Sequence, residues 1–355
     1  MKRRIKKEYI IWVLVLLLGA GTAFAQKPYR AGTTAANFLE IGFGSAGSAM
    51  GDAYVASARD ISALYWNPAG LAFMQQNEAQ FFYQPWLVDM NTAFAAAGFV
   101  LQGIGNISFG VFHMGYGNMD VTTMDMQEGT GETFNANDYA FSLAYSRLLT
   151  PNFGFGAAAK YITSQIWHTS ASAIALDLGV TVSTGFFSPS GKNEDGLSIG
   201  MSISNYGTKM RYDGIDLLNP IDVSPSENGN YKDVPGQYRL SEWELPLIFR
   251  VGVSLNPVVL GPHRITVAGD ALHPNNNSES VNVGMQYEYK LAGSGSFFLR
   301  GGYKGLFMVD SQYGYSFGAG ATLRMMGNLG LKIEYGFRDI GILGNVQSYG
   351  IGFLF

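Results

Sequence analysis

The chain has no cysteine among its 355 residues. That excludes thiol nucleophiles, disulfide staples and thiolate-bound metals. It does not argue against export, because a chain of this length needs no disulfide to complete a core. Charge is scarce as well: Asp, Glu, Lys and Arg make up 14% of the residues, where globular proteins carry about 25%. The charge present leans acidic, with 23 basic and 27 acidic residues. Nucleic acid, which calls for a basic patch, is therefore not an expected partner. The only histidines are His113, His168, His263 and His273, and their spacing makes no paired metal-ligand motif. Asp120, Asp125 and Glu128 fit no EF-hand loop. The run Gly44 to Ser48 lacks the preceding strand and following lysine of a phosphate loop. A barrel lipase would need a Ser/His pair at the lipid boundary, and His113 is the only candidate histidine. No catalytic constellation, cofactor site or metal site is expected, and the chain does not read as an enzyme.

The first 25 residues differ from the rest. Lys2, Arg3, Arg4, Lys6 and Lys7 precede an apolar stretch from Ile10 to Ala20, and Ala23-Phe24-Ala25 has the small-x-small pattern of a signal-peptidase site. The apolar stretch is about half of the roughly 20 residues that a membrane-anchoring helix needs. The expectation is a signal peptide over residues 1–25, cleaved after Ala25. Loss of its five basic residues and one acidic residue takes the formal charge from −4 to −8.

Beyond residue 25 no apolar run is long enough for a membrane-crossing helix. Yet the chain is rich in glycine, with 46 residues, and in aromatics, at 14%. That combination points to strands with one face in lipid. Such strands place apolar residues at every second position. Near the C-terminus Tyr349, Ile351, Phe353 and Phe355 alternate with Ser348, Gly350 and Gly352. Before them Leu329, Leu331, Ile333, Tyr335 and Phe337 alternate with Lys332, Glu334 and Arg338. The pattern recurs over Tyr313–Leu323, Val281–Tyr289, Leu247–Leu255, Ile174–Val182 and Tyr139–Tyr145.

With weaker segments added there are about 14 strands, an even number as bacterial barrels require. They begin near 79, 92, 105, 137, 152, 171, 196, 247, 263, 280, 296, 312, 329 and 347. The expected fold is all-β: a transmembrane antiparallel β-barrel over residues 78–355, with long outer loops near 117–136 and 207–246. Residues 185–195 are a longer inner connection than the rule predicts. Arg250, Lys290, Arg300, Lys304, Arg324, Lys332, Glu334 and Arg338 fall on the face opposite the apolar one. That face must be the lumen, since a charge at mid-depth in lipid costs about 2–4 kcal/mol. Pairing across the interior is the reading adopted for these charges, with a functional role the other reading.

Residues 26–77 do not alternate and are expected to form a small hatch inside the lumen. Asp60 is placed to cap a short helix through Ala63 and Leu64, and Pro68 to end it. Trp66 either packs the hatch against the wall or, with Asn67 and Pro68, forms part of a gate. Trp86, Trp167 and Trp243 lie near strand ends, where interface girdles place tryptophan.

The runs Ala35 to Gly42, with Asn37 and Phe38, Ala49 to Ala56, and Asp60 to Ala72 resemble the N-terminal signature of the PorV/PorQ family, within the wider FadL-like outer-membrane proteins. The Asn67-Pro68-Ala69-Gly70-Leu71 run is similar to the hatch motif of FadL-type transporters. The resemblance implies a 14-stranded barrel in the outer membrane, surrounded by its lipid. It also implies one of two functions. PorV-like members serve type IX secretion by docking secreted cargo proteins or secretion-system components. FadL-like members pass a hydrophobic ligand through the barrel. Terminal Phe355 resembles the signal read by the barrel assembly machinery.

Overall fold

The computed structural model describes residues 30–229, 233–325 and 329–355. The expected signal peptide and its cleavage point lie outside the described residues. Fourteen strands form the wall: β1 (Glu78–Pro85), β2 (Asn91–Leu101), β3 (Gly105–Asp120), β4 (Thr133–Thr150), β5 (Phe153–Ile166), β6 (Thr169–Ser183), β7 (Ser198–Gly207), β8 (Ile248–Leu260), β9 (His263–Pro274), β10 (Ser280–Leu291), β11 (Gly295–Leu306), β12 (Tyr315–Arg324), β13 (Gly330–Asp339) and β14 (Asn345–Leu354). Each is antiparallel to its sequence neighbours, and β1 pairs with β14 from Glu78↔Leu354 to Tyr83↔Tyr349, closing the barrel. No described helix is long and apolar enough to cross a membrane.

All fourteen starts fall within four residues of those read from alternation. The reason is visible in β6, where buried and exposed residues alternate from Thr169 to Ser183. Two features differ from expectation. Strands β3 and β4 run to 16 and 18 residues, beyond the roughly 9–11 that span a bilayer. Their polar ends continue the hairpin, so the loop expected near 117–136 shrinks to 121–132. The fifth connection is only Trp167-His168, short for the end that carries the longest loop. That longest loop, 208–247, contains its own hairpin, Leu218–Ile221 against Val234–Gln237. Long loops mark the outer side, so both ends of the wall, β1 and β14, start and finish on the periplasmic side. Tyr83, Tyr161, Tyr303 and Tyr315 face outward near the outer strand ends, the level at which tyrosine sits among lipid headgroups.

The N-terminal segment fills the lumen. Its elements are a 3₁₀ turn at Asn37–Glu40, α1 (Ser45–Ala49), α2 (Ala63–Trp66) and a 3₁₀ helix at Pro68–Phe73. It enters at the outer end, where the Ala35 N–H donates to the Glu244 carbonyl at 2.9 Å, and leaves at the periplasmic end into β1. Glycines on the wall let its backbone approach closely. A Cβ on Gly156 or Gly302 would lie 2.3 Å from the backbone of Pro68 or Met50, respectively.

Candidate functional site

The segment inside the lumen is pinned to the wall by polar contacts that differ around its circumference. Asn67 is fully buried and uses its whole side chain. Its amide donates to the Val55 carbonyl (3.0 Å), the Val180 carbonyl (3.2 Å) and the Thr181 hydroxyl (3.0 Å). Its Oδ1 accepts from the Ala69 N–H at 3.1 Å, capping the 3₁₀ helix, with Pro68 at the first helical position where no N–H is needed. This accounts chemically for an Asn-Pro-Ala run: a cap, a preset φ, and a residue small enough to lie under Gly156.

Asp60 does not cap α2 directly. The N-cap is Ser62, and Asp60 Oδ1 accepts from the Ser62 N–H at 3.1 Å and from its hydroxyl, ordering the turn before the helix. The other Asp60 oxygen accepts from the Lys332 ammonium, which also lies 3.4 Å from Glu78 and 4.0 Å from Glu334. Burial disfavours the Asp60 charge, yet Lys332 and Ser62 hold its carboxyl below the ordinary value. Arg300 pairs with Glu334 at 2.9 Å and donates to Gln286 at 2.7 Å. Arg338 pairs with Asp52, which also holds Lys304 at 2.7 Å. Arg250 donates to Ser204 at 2.9 Å and lies over the Tyr65 ring. Arg324 is exposed at the periplasmic rim. Thus three of the expected lumen charges, Lys304, Lys332 and Arg338, pair with carboxylates of the N-terminal segment, and Arg300 and Glu334 with each other.

Trp66 is buried, and its indole N–H donates to the Phe43 carbonyl at 2.9 Å, with its ring beneath Gly47. Phe38 is buried against Phe112, ring centroids 5.0 Å apart. Phe43 meets Phe112 at 3.8 Å and Phe94 at 5.5 Å. Asn37 lies at the outer mouth and accepts from the Thr34 hydroxyl at 2.5 Å. Nearby, burial raises the Glu40 carboxyl above its ordinary value despite the Asn276 amide that donates to it.

Sequence reasoning passed over several anchors. Asp52 sits at positive φ in a run of small residues, so nothing in the pattern marked it. Asp270, on the lumen face of β9, accepts the Tyr54 and Val55 N–H groups at 2.7 and 2.8 Å. Arg59 donates to Ser183 and Ser198 at 2.8 and 3.0 Å. An acidic residue in an otherwise small or apolar alternation was the available signal for Asp270.

Beneath the segment, at the periplasmic end, a cavity of about 1030 Å³ is lined mainly by charged and polar side chains. At the outer end the 208–247 loop exposes Ile215, Leu218, Ile221, Val223, Tyr238 and Trp243. Among the described residues no group of His, Asp and Glu is arranged to hold a metal. The arrangement can seat a plug and present an outer surface.

The pattern of the family described as type IX secretion system protein PorV matches residues 24–226. No curated protein matches in sequence. Among solved structures, the barrel is similar to the toluene transporter TodX of Pseudomonas putida, at 12% identity over 88% of this chain and 96% of that one, with a TM-score of 0.52. It is similar to the toluene transporter TbuX of Ralstonia pickettii at 11% identity, over 88% and 97%, with a TM-score of 0.52. The monoaromatic hydrocarbon channel CymD gives 9% identity, 88% and 97%, and 0.53. At these identities the likeness is one of fold. With more than half of its length matched and a closed, plugged outer-membrane barrel as its architecture, this chain belongs to the family of the type IX secretion system protein PorV.

Proposed function

We propose that this barrel works in type IX protein secretion or cell-surface attachment by docking secreted cargo or secretion-system components on its outer loops, chiefly 208–247. The family match carries the reading. Two physical features support it. The apolar side chains on that loop lie outside the lipid belt, where exposed apolar surface marks interaction sites. The lumen is occupied by tightly seated backbone, whereas passage of a hydrophobic ligand needs an apolar path behind the hatch. Export with cleavage after Ala25, and delivery to the assembly machinery through Phe355, belong to the same proposal.

The test is removal of the protein, followed by complementation with the full chain or with a chain lacking residues 213–240. Secreted and surface-attached proteins should fall on removal, return with the full chain and stay low with the shortened one. Uptake of hydrophobic compounds should be unchanged throughout. The reverse pattern, lost uptake with normal secretion, would replace this reading with a FadL-like channel.

A further inference from the structure

The periplasmic cavity holds a charge arrangement that plug-seating does not account for. Its lining carries seven cations against four carboxylates, and two more carboxylates behind the lining, Asp195 and Glu334, each pair with one of those cations. Lys332 and Arg300 are committed to Asp60 and Glu334. Arg264 is paired with Asp195 and lies 3.9 Å from Glu288. Arg59 is different. Among the described residues its side-chain hydrogen bonds go to two neutral hydroxyls, Ser183 and Ser198, and it forms no ion pair. Its flat face rests on the Phe73 ring, 4.9 Å from the centroid, which fixes the plane of the fork. A guanidinium has five N–H donors, and the two serines engage one nitrogen, leaving the rest of the fork for the cavity it lines.

The position sharpens the point. Burial and then the like charge of Arg264 push the Arg59 guanidinium down from its ordinary value, with Glu194 and Asp195 opposing. Two guanidiniums on one cavity lining, of which Arg59 makes no ion pair among the described residues, suit an oxyanion, because planar forks bind carboxylate and phosphate through paired charge-assisted hydrogen bonds. The Arg264 Nε is buried without a hydrogen bond, although the Glu288 carboxylate lies 3.9 Å away. Arg324, exposed farther out on the same lining, adds a positive field at the mouth that draws anions in, and Lys290 beside it lies 4.0 Å from Glu288.

We propose that the cavity is an oxyanion-binding site, in which Arg59 and Arg264 hold a carboxylate or phosphate group that enters from the periplasmic side. The site abuts the plug: Arg59 is the residue before Asp60, whose carboxylate is clamped by Lys332. An anion bound there rests on the lower edge of the plug and on β6, β7 and β9 at once. The inference does not depend on which partners the outer loops dock.

The experiment uses the full chain in detergent micelles, with inorganic phosphate and a short glutamate-containing peptide as separate probes, read by calorimetric titration. At least one probe should bind, and its affinity should fall with added salt. Arg59→Gln should weaken binding about tenfold or more, the worth of a charge-assisted hydrogen bond. Arg59→Lys should fall between the two, and Arg211→Gln, at the outer loop, should change nothing. Phosphate binding without peptide binding assigns the site to a free anion. Peptide that binds and competes with phosphate assigns it to a carboxylate carried on a polypeptide. Should Arg59→Gln fail to give the heat-modifiable migration of a folded barrel, Arg324→Gln serves instead, with a loss of a few-fold expected from its weaker, exposed position. No binding by either probe, or binding indifferent to salt and to the arginine variants, would overturn the proposal.

Discussion

The plug has two unlike flanks. Toward β1–β3 it is aromatic: Phe38, Phe43 and Tyr65 pack with Phe94 and Phe112. Toward β9–β13 it is ionic and backbone-close: Asp52 and Asp60 meet Lys304, Arg338 and Lys332, and the Met50 backbone lies on Gly302. The wall glycines tell the same story. A Cβ on Gly110 would meet the flexible end of Leu64, whereas one on Gly302 would meet the backbone of Met50 and Gly51. Apolar packing is non-directional and adjusts by rotamer. A buried ion pair holds only in one geometry and punishes the loss of either partner. One flank grips, and the other sets the position.

The largest effect should come from Gly302→Val, which puts side-chain atoms where plug backbone lies. The plug should be displaced, seen as raised single-channel conductance or as protease cleavage within residues 37–73, while Gly110→Ala leaves both unchanged. Equal behaviour of the two variants would erase the distinction between flanks. Next is Asp52→Asn, which strands two buried cations and should cost about 3–5 kcal/mol in thermal unfolding of the detergent-solubilised barrel. Phe43→Leu, on the forgiving flank, should cost about 1–2 kcal/mol and leave conductance alone.

The smallest effect is that of mild acid. Because the Asp60 carboxyl is held below its ordinary value of about 4, its contribution is complete above that pH and is lost only as pH falls through the depressed value. Thermal stability on this account stays flat between about pH 8 and pH 5 for Asp60 and drops in stronger acid. Asp60→Asn should start lower and show less of that drop. The aromatic rings of the other flank do not titrate there.

The wall was legible in the sequence because one face of every strand answers to lipid, and period-two alternation records it. Arg300, Lys332, Glu334 and Arg338 were legible for the same reason, as charges on the face that lipid forbids. The pairings of Lys332 and Arg338 with the plug were not. Asp52 and Arg59 lie in a segment without periodicity, and what brings them to Arg338 and to the cavity is packing between residues far apart in sequence. Asp270 stood out as an acid in a readable strand, but the Tyr54 and Val55 N–H groups it receives are backbone and leave no trace in side-chain identity. The overlong β3–β4 hairpin was missed because strand pairing outside the membrane needs no apolar face. Arg324 shows the limit of alternation: it follows the same pattern as Arg300, yet lies at the rim.

The seam between β1 and β14 has a consequence for how the molecule is put together. The Phe355 N–H donates to the Asn77 carbonyl at 3.0 Å, so the last residue of the chain is tied to the point where the plug hands over to the wall. Until those final residues arrive, β1 and β13 present open edges, which seek other strands to pair with. The plug is joined to one lip of that gap. It can be laid against a curved, unclosed sheet and then enclosed, so that sealing the wall and trapping its contents are one event.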